Sequence, residues 1–461
     1  MHAMSLQQLA TDVGGKCRGE NVCFDAISTD TRTLKEGELF VALSGENYNA
    51  NDFVEVAKQK GAIAALMSQD SEIELPTVVV SDALQALTTM AKNERKKSAV
   101  SLVAITGSNG KTTVKEMLRS IFAESKKVLA TEGNLNNHIG VPLTLLKLTG
   151  EHQVAVVEMG ASHRGEISQL CEIAKPDVAV LNNVGAAHLE GFGSLQGVAE
   201  AKGEIVSGLN DAGIAVLNLT EPWFEYWNGL AGGTRVMSFG WTSEADVWAD
   251  EATIISELIA GEFKTTFMLH YQKKAAQISL NLVGAHNILN AAAAATAAFA
   301  MGVSMQQVAD GLGLMQPVKG RLQPLAGLNQ SVIIHDGYNA NPKSFEAALN
   351  CVLSLEIPIW LVLGDFSELG DAAESIHQQL GQDIANSGVE RLYATGRFMK
   401  HTVKSASAGI QAKHFAEKSA LITELSKALV KGVVVLVKGS RSQGLEDIVD
   451  QLINKGDVAC C

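Results

Sequence analysis

One segment of this chain has the residue types and order of an anion cradle. It reads Ile105-Thr106-Gly107-Ser108-Asn109-Gly110-Lys111-Thr112-Thr113, preceded by an apolar run and followed by a helical pattern. Glycines in such a turn let backbone N–H groups point into an anion, and the helix start adds a favourable dipole. Lys111 supplies a cation for the β- and γ-phosphates of a nucleotide, and the Thr112 hydroxyl suits Mg²⁺. Gly107, Ser108, Asn109, Gly110, Lys111, Thr112 and Thr113 are the expected phosphate contacts. The general phosphate-loop pattern has a glycine five residues before Gly110, where this chain has Ile105. An ordinary Gly-rich strand-to-helix turn would share part of this spacing. The strand before, the helix after and the doubled Thr favour phosphate.

Three further residues follow apolar strands or sit among charges. Glu158 ends the run Val154 to Glu158, and the C-terminal ends of parallel strands are where ligands gather. Beside a phosphate loop, its carboxylate is a Mg²⁺ ligand candidate. His188 follows another apolar strand, and a lone His is usually structural. Lys202 stands between Glu200 and Glu204, and charge pattern alone makes that a solvated helix face.

The elements that must position these residues alternate strand and helix. Strands are expected at Glu38 to Leu43, Ala62 to Met67, Thr77 to Val80, Ser101 to Thr106, Val154 to Glu158, Asp177 to Asn182 and Val216 to Leu219. Pro358 to Leu363 and Gly432 to Lys438 continue the series in the last third of the chain. Helices are expected at Phe53 to Lys60, Leu84 to Lys97 and Lys343 to Val352. The run of Lys92, Arg95, Lys96 and Lys97 suits the negative end of a helix dipole and is expected to be solvated. The Ala-rich segment Asn290 to Val303 is too short to span a bilayer and is expected to be a buried helix. The pattern is α/β, with a doubly wound phosphate-loop unit in the middle.

Bulk properties agree. A chain of 461 residues exceeds a single core, which stops growing at about 250–300 residues. Boundaries are expected near 99 and 315, giving units 1–98, 99–315 and 316–461. With 37 basic against 50 acidic residues, the net charge of −13 argues against a nucleic-acid partner. Six cysteines form no CxxC pair or zinc-finger spacing, so free thiols in a reducing compartment are expected. The first ten residues lack a long apolar core, so no signal peptide is expected and the location is cytoplasmic.

The form TGSNGKTT resembles the phosphate loop of the Mur ligase family and its folylpolyglutamate synthetase relatives. The resemblance extends along the chain. Thr131 to Pro142 (TEGNLNNHIGVP) is similar to the family's Asn-rich substrate loop, which brings in Asn136 and Asn137. Gly284 to Ala291 resembles the adenine-side helix, with Asn287 against the base, since an amide both donates and accepts. Lys319-Gly320-Arg321 resembles the family's Gly-Arg pair, with Arg321 on ATP phosphate. Asp336 to Pro342 (DGYNANP), Leu363 to Gly370 and Val437 to Arg441 look like loops of the branch that adds D-alanyl-D-alanine. They make Asp336 a nucleotide contact and Tyr338, Asn339 and Asn341 substrate contacts. Ser28-Thr29-Asp30-Thr31-Arg32 resembles the UDP-sugar region, although Asp30 and Arg32 alone could be a surface ion pair.

The resemblance implies three domains. An N-terminal α/β domain binds a UDP-sugar, a central domain binds ATP, and a C-terminal Rossmann-like domain closes over ATP. It implies ligation of D-alanyl-D-alanine to UDP-N-acetylmuramoyl-tripeptide through an acyl phosphate, with ATP and two Mg²⁺ ions and no stable membrane insertion. A monomer is the default expectation. It also changes the reading of Lys202, which in the family carries a carbamate and, with the matches of His188 and Glu158, helps hold the second metal. Lys111, His188, Lys202 and Arg321 are then the catalytic set. A folylpolyglutamate synthetase, the ligase adding the third residue, and a nucleotide-hydrolysing switch are the rival readings. The third residue of the tripeptide stays open between diaminopimelate and lysine.

Overall fold

The computed structural model describes residues 1–45, 48–70, 72–185, 189–259, 261–367 and 369–454. Three large sheets carry the chain, beside two two-stranded ones among the described residues. The first is five-stranded, in the spatial order Lys16–Arg18, Thr77–Val79, Ala64–Met67, Leu39–Val41, Ile27–Ser28. Its last four strands are mutually parallel, and Lys16–Arg18 is antiparallel at the edge.

The central sheet has nine strands. Six form a parallel array in the order Val128–Ala130, Val154–Glu158, Ser101–Thr106, Val178–Leu181, Ile214–Asn218, Arg235–Gly240. The order reverses on either side of Ser101–Thr106, which places the phosphate loop at the switch point of a doubly wound sheet. These strands read as unbroken apolar runs because helices cover both of their faces, as the burial of all five residues of Val154–Glu158 illustrates. Val247–Ile259 pairs parallel to Arg235–Gly240 and then, with Glu262–Tyr271 and Lys274–Leu280, forms an antiparallel extension with solvent on part of one face.

The helix Ala285–Ala300 begins before the expected Asn290 and ends before Val303. Ala291 to Ala295, Ala297 and Ala298 are fully buried against the sheet and the helix Lys111–Ala123. Small side chains allow this close approach. Among the described residues no helix is long and apolar enough to cross a membrane. Cys17, Cys23, Cys171 and Cys351 are free thiols.

The third sheet is parallel in five strands, Val332–Asp336, Val434–Lys438, Ile359–Leu363, Arg391–Thr395 and Gln411–Phe415, with Gln323–Ala326 antiparallel at its edge. Its apolar core includes Phe263 and Val283 from the central unit, packed with Ile334, Phe345 and Leu361. The antiparallel extension thus forms part of the seat for the third unit.

One charged position departs from expectation. Arg95, at the end of helix Ala83–Lys97, is not solvated: its side chain is 10% exposed. Its guanidinium donates to the carbonyls of Ala174 (2.7 Å), Val100 (3.1 Å) and Lys175 (3.1 Å) and lies 3.3 Å from Asp177. Burial pushes its pKa down and Asp177 opposes that shift. The arginine anchors the first unit's last helix to the central unit, a role that charge runs do not disclose.

Candidate active site

The turn after Ser101–Thr106 is shaped by two glycines and an amide network. Gly110 has φ +80°, and a Cβ there would strike Asn290 Oδ1 and lie 2.6 Å from Asn182 Nδ2. Only glycine fits a left-handed position walled in this way. Asn182 Nδ2 donates to Asn290 Oδ1 (2.8 Å) and to the Asn109 carbonyl (3.1 Å). Asn183 receives the Asn109 N–H (2.9 Å) and donates back to the Asn109 carbonyl (3.1 Å). Ser108 and Gly185 exchange two bonds, Ser108 Oγ accepting from the Gly185 N–H at 2.9 Å and donating to the Gly185 carbonyl at 3.2 Å. The loop conformation is therefore held by the strand end at 182–185 and the helix Ala285–Ala300. Asn182, Asn183 and Asn290 were not anticipated. The paired amides directly after an apolar strand were the available signal.

Lys111 folds back over the loop, its Nζ donating to the Gly107 carbonyl at 2.7 Å and reaching the Ser108 carbonyl at 3.4 Å. Burial lowers its pKa, Glu158 counters that shift and Arg321 adds to it. Asn287 is 6% exposed and its amide is engaged internally, donating to the Val283 carbonyl (2.8 Å) and accepting from Asn290 (3.2 Å).

Glu158 is the meeting point of three elements. Its Oε2 accepts from the Thr112 hydroxyl at 2.9 Å, and its Oε1 from Asn136 Nδ2 at 2.8 Å. Its backbone N–H donates to Thr131 Oγ1 at 2.9 Å. A carboxylate and a hydroxyl facing one another beside a phosphate loop are oxygen donors of the kind Mg²⁺ takes. Among the described residues no three His, Cys, Asp or Glu side chains cluster, and His188 lies outside those residues.

Lys202, on helix Leu195–Ser207, is 2% exposed, contrary to a solvated helix face. Its Nζ stands 5.9 Å from the Phe192 ring centroid and has no hydrogen-bond or ion-pair partner among the described residues. Burial holds its pKa well below the ordinary lysine range, and the charge of Lys111 lowers it further. Such a shift favours the neutral, nucleophilic amine over the ammonium.

The third unit presents its own residues at the ends of its parallel strands. Arg321 Nη2 lies 3.5 Å from Thr112 Oγ1, at the outer limit of contact. Its guanidinium rests 4.2 Å from the Tyr338 ring centroid, and its buried Nε has no acceptor among the described residues. Two turns clasp here: the Tyr338 N–H donates to the Gly320 carbonyl (3.1 Å) and the Leu322 N–H to Asp336 Oδ1 (3.1 Å). Asp336 also accepts from the buried Lys438 ammonium at 2.6 Å, and that ammonium reaches the Asn339 carbonyl at 2.9 Å. Asp336 is thus engaged by protein groups as well as being near the cleft.

Several expected substrate residues have structural bonds. Asn341 accepts the Ser344 N–H (2.8 Å) as N-cap of helix Pro342–Leu353, and Asn137 accepts the Gly140 N–H (2.9 Å) at the start of Gly140–Leu145. The Asn339 side chain accepts the Ala340 N–H at 2.9 Å. In the first unit, buried Ser28 bonds to the Asp30 backbone, and Arg32 pairs with Asp30 at 2.7 Å. This N-terminal trio makes no contact with the phosphate-loop residues in the described structure. Lys111, Thr112, Glu158, Asn136 and Arg321 are brought together. A separate cleft of about 470 Å³ between Arg235, Trp248 and His270 holds none of the expected residues.

Comparison with known proteins gives a consistent result. Residues 105–298 match the Mur ligase middle domain, and residues 320–441 match the Mur ligase, glutamate ligase domain. The chain is 40% identical over 459 residues to UDP-N-acetylmuramoyl-tripeptide–D-alanyl-D-alanine ligase of Escherichia coli (strain K12), covering 99% of this chain and 100% of that protein. It is 34% identical to the ligase of that name from Bacillus subtilis (strain 168), with 94% of each covered. A crystal structure of MurF from Acinetobacter baumannii superposes with TM-score 0.88 at 34% identity, covering 98% of this chain and 99% of that one. MurF ligase from Thermotoga maritima in complex with ADP gives TM-score 0.79 at 26% identity, covering 92% and 96%.

Proposed function

Because the chain belongs to the Mur ligase family, we propose that it joins D-alanyl-D-alanine to the terminal carboxylate of UDP-N-acetylmuramoyl-tripeptide, using ATP and forming the UDP-pentapeptide precursor of peptidoglycan. The observation that carries the reading is the convergence of the phosphate loop, the Thr112–Glu158–Asn136 cluster and Arg321. Peptide-bond formation from a free carboxylate is uphill in water, so the carboxylate must first be activated. A carboxylate oxygen attacks the γ-phosphorus, the bond to ADP breaks, and an acyl phosphate forms. Lys111 and Arg321 neutralise charge on the transferring group. The acceptor amine then adds to the acyl carbon, and phosphate leaves with the C–O bond electrons.

Thr112, Glu158, His188 and Lys202, the last as its carbamate, would hold Mg²⁺, whose contribution when bound is Lewis-acid charge on phosphoryl oxygens. The neutral amine of Lys202 is the form that adds CO₂. Units 1–98, 99–315 and 316–461 take the UDP-sugar, ATP and the acceptor respectively, and closure excludes water from the acyl phosphate. Ser28, Asp30, Arg32, Asn136, Asn137, Tyr338, Asn339 and Asn341 belong to the substrate regions. Of these, Asn137 and Asn341 act by shaping loops. Asn287 stands on the adenine side and Asp336 behind the nucleotide. The enzyme works as a monomer in the cytoplasm, where its nucleotide substrates are made.

The test is phosphate release from ATP with each of the other two substrates omitted in turn. Dependence on both, with UDP-pentapeptide detected by mass, is expected. Release indifferent to both would turn the reading to a nucleotide-hydrolysing switch. For the carbamate, ¹³CO₂ should label wild type and not Lys202→Met. Equal labelling of the two would remove that assignment.

A further inference from the structure

We propose that Arg441 is the receptor for the terminal carboxylate of the amine acceptor, with the ring of Tyr338 as its positioning residue. This deepens the ligase reading and rests on it. Arg441 follows the strand Val434–Lys438, which lies between Val332–Asp336 and Ile359–Leu363 in the parallel part of the third sheet. The loops leaving the C-terminal ends of these three strands meet, and this edge of a parallel sheet is where ligands bind.

The loops form a built platform. The Ser440 N–H donates to the Asp365 carbonyl at 3.1 Å, and the Ser367 N–H to Ser440 Oγ at 2.7 Å. A Cβ at Gly439 would lie 3.1 Å from Gly364 Cα, so a side chain there would have to push the two loops apart by a few tenths of an ångström. The Asp365 carboxylate accepts the backbone N–H groups of Arg397, Phe398 and Met399 at 2.7–3.0 Å, which ties this loop to the next strand's end. That carboxylate is therefore committed and does not face Arg441 as a partner.

On this platform the cations divide. Lys438 is buried and bonded to Asp336 and the Asn339 carbonyl. Arg321 lies against the ring of Tyr338 and reaches toward Thr112 at the phosphate end. Arg441 lies against the same ring, 5.2 Å from its centroid, but is exposed and has no carboxylate or hydrogen-bond acceptor among the described residues. An unpaired guanidinium held on a ring in an acidic protein is preorganised for a planar carboxylate, which it binds through two parallel N–H bonds. The acceptor has one anionic group, its terminal carboxylate, at the end opposite the amine that must reach the acyl phosphate. One rigid ring carrying both guanidinium groups fixes the relation between those two ends.

The experiment measures ligation of D-alanyl-D-alanine and of its C-terminal amide by wild type, Arg441→Gln and Arg441→Lys. Acyl-phosphate formation without acceptor, trapped by hydroxylamine, is followed alongside. Wild type should prefer the acid. In Arg441→Gln the KM for the acid should rise by about 10- to 100-fold while that for the amide changes little, so the preference collapses. Arg441→Lys should fall between, and acyl-phosphate formation and the KM for ATP should stay at wild-type values in both. An unchanged acid-to-amide preference in Arg441→Gln, or no preference in wild type, would overturn the proposal. Wild type that ligates neither acceptor would bring down the ligase reading itself, which the proposal requires.

Discussion

The two faces of the cleft are built on opposite principles. On the central unit, the phosphate loop is closed on itself: Asn182, Asn183, Asn290 and Ser108 hold its backbone, and Lys111 lies on its carbonyls. On the third unit, among the described residues, Arg321 keeps a buried Nε without an acceptor and Arg441 has no anionic partner. Buried donors normally find acceptors, because leaving one unmade costs about 1–3 kcal/mol. The first face is thus a preformed mould whose integrity is a stability matter. The second holds cations that a bound anion would complete, so its integrity is expected to be a matter of activity.

The comparison is broken or sharpened by four substitutions. The largest effect is expected for Lys111→Ala, where acyl-phosphate formation should fall by about 10³-fold or more. Near-normal turnover would mean that the loop does not hold the transferring phosphate. Arg321→Gln comes next, with kcat lowered by about 10²-fold and the thermal midpoint unmoved, since that guanidinium has few protein bonds to lose. Unfolding of this variant at a clearly lower temperature would erase the distinction between the faces. Asn290→Ala should do the reverse, costing about 1–3 kcal/mol in denaturant unfolding because Asn182 loses its acceptor, with weaker ADP binding by calorimetry. An unfolding curve like wild type would show that the network does not hold the mould.

The smallest effect is expected far from both faces, at Asp30. Arg32, by a side-chain and then a backbone bond, holds the Asp30 carboxyl below its ordinary value of 3.8. A depressed folded-state pKa gives stability that is present above 3.8 and lost as pH falls through the folded value. Asp30→Asn should therefore lower stability at neutral pH, though only slightly because the pair is solvent-screened, and the two pH–stability curves should converge as pH falls through the acid range. A large change at neutral pH would show that Asp30 does more in the isolated protein than pair with Arg32.

Legibility in the sequence also divides by region. The parallel strands were plain because burial on both faces writes a continuous apolar run, and Ser101–Thr106 and Val154–Glu158 have the expected limits. The three antiparallel strands from Val247 to Leu280 were not identified. Part of their face meets solvent, and Val247–Ile259 carries a register shift between Asp250 and Ile255 that breaks simple alternation. Yet this extension contributes Phe263 to the core of the third unit. Arg95 was misjudged for a related reason: the carbonyls that bury it, at Ala174 and Lys175, are distant in sequence.

By itself the amino-acid sequence determined the α/β class, the phosphate loop and the family, because short-range glycine, lysine and threonine order encodes a local backbone shape. It also carried the residues of the cleft, from Glu158 to Arg321. Only the tertiary structure decided what each does. It joined Asn290 to Asn182 across the loop, buried Lys202, tied Asn137 to the start of Gly140–Leu145, made Asn341 a helix cap, and set Arg321 and Arg441 on one ring. Those outcomes depend on which distant strand ends and helix starts come within about 3 Å of one another, and local spacing holds no record of that distance.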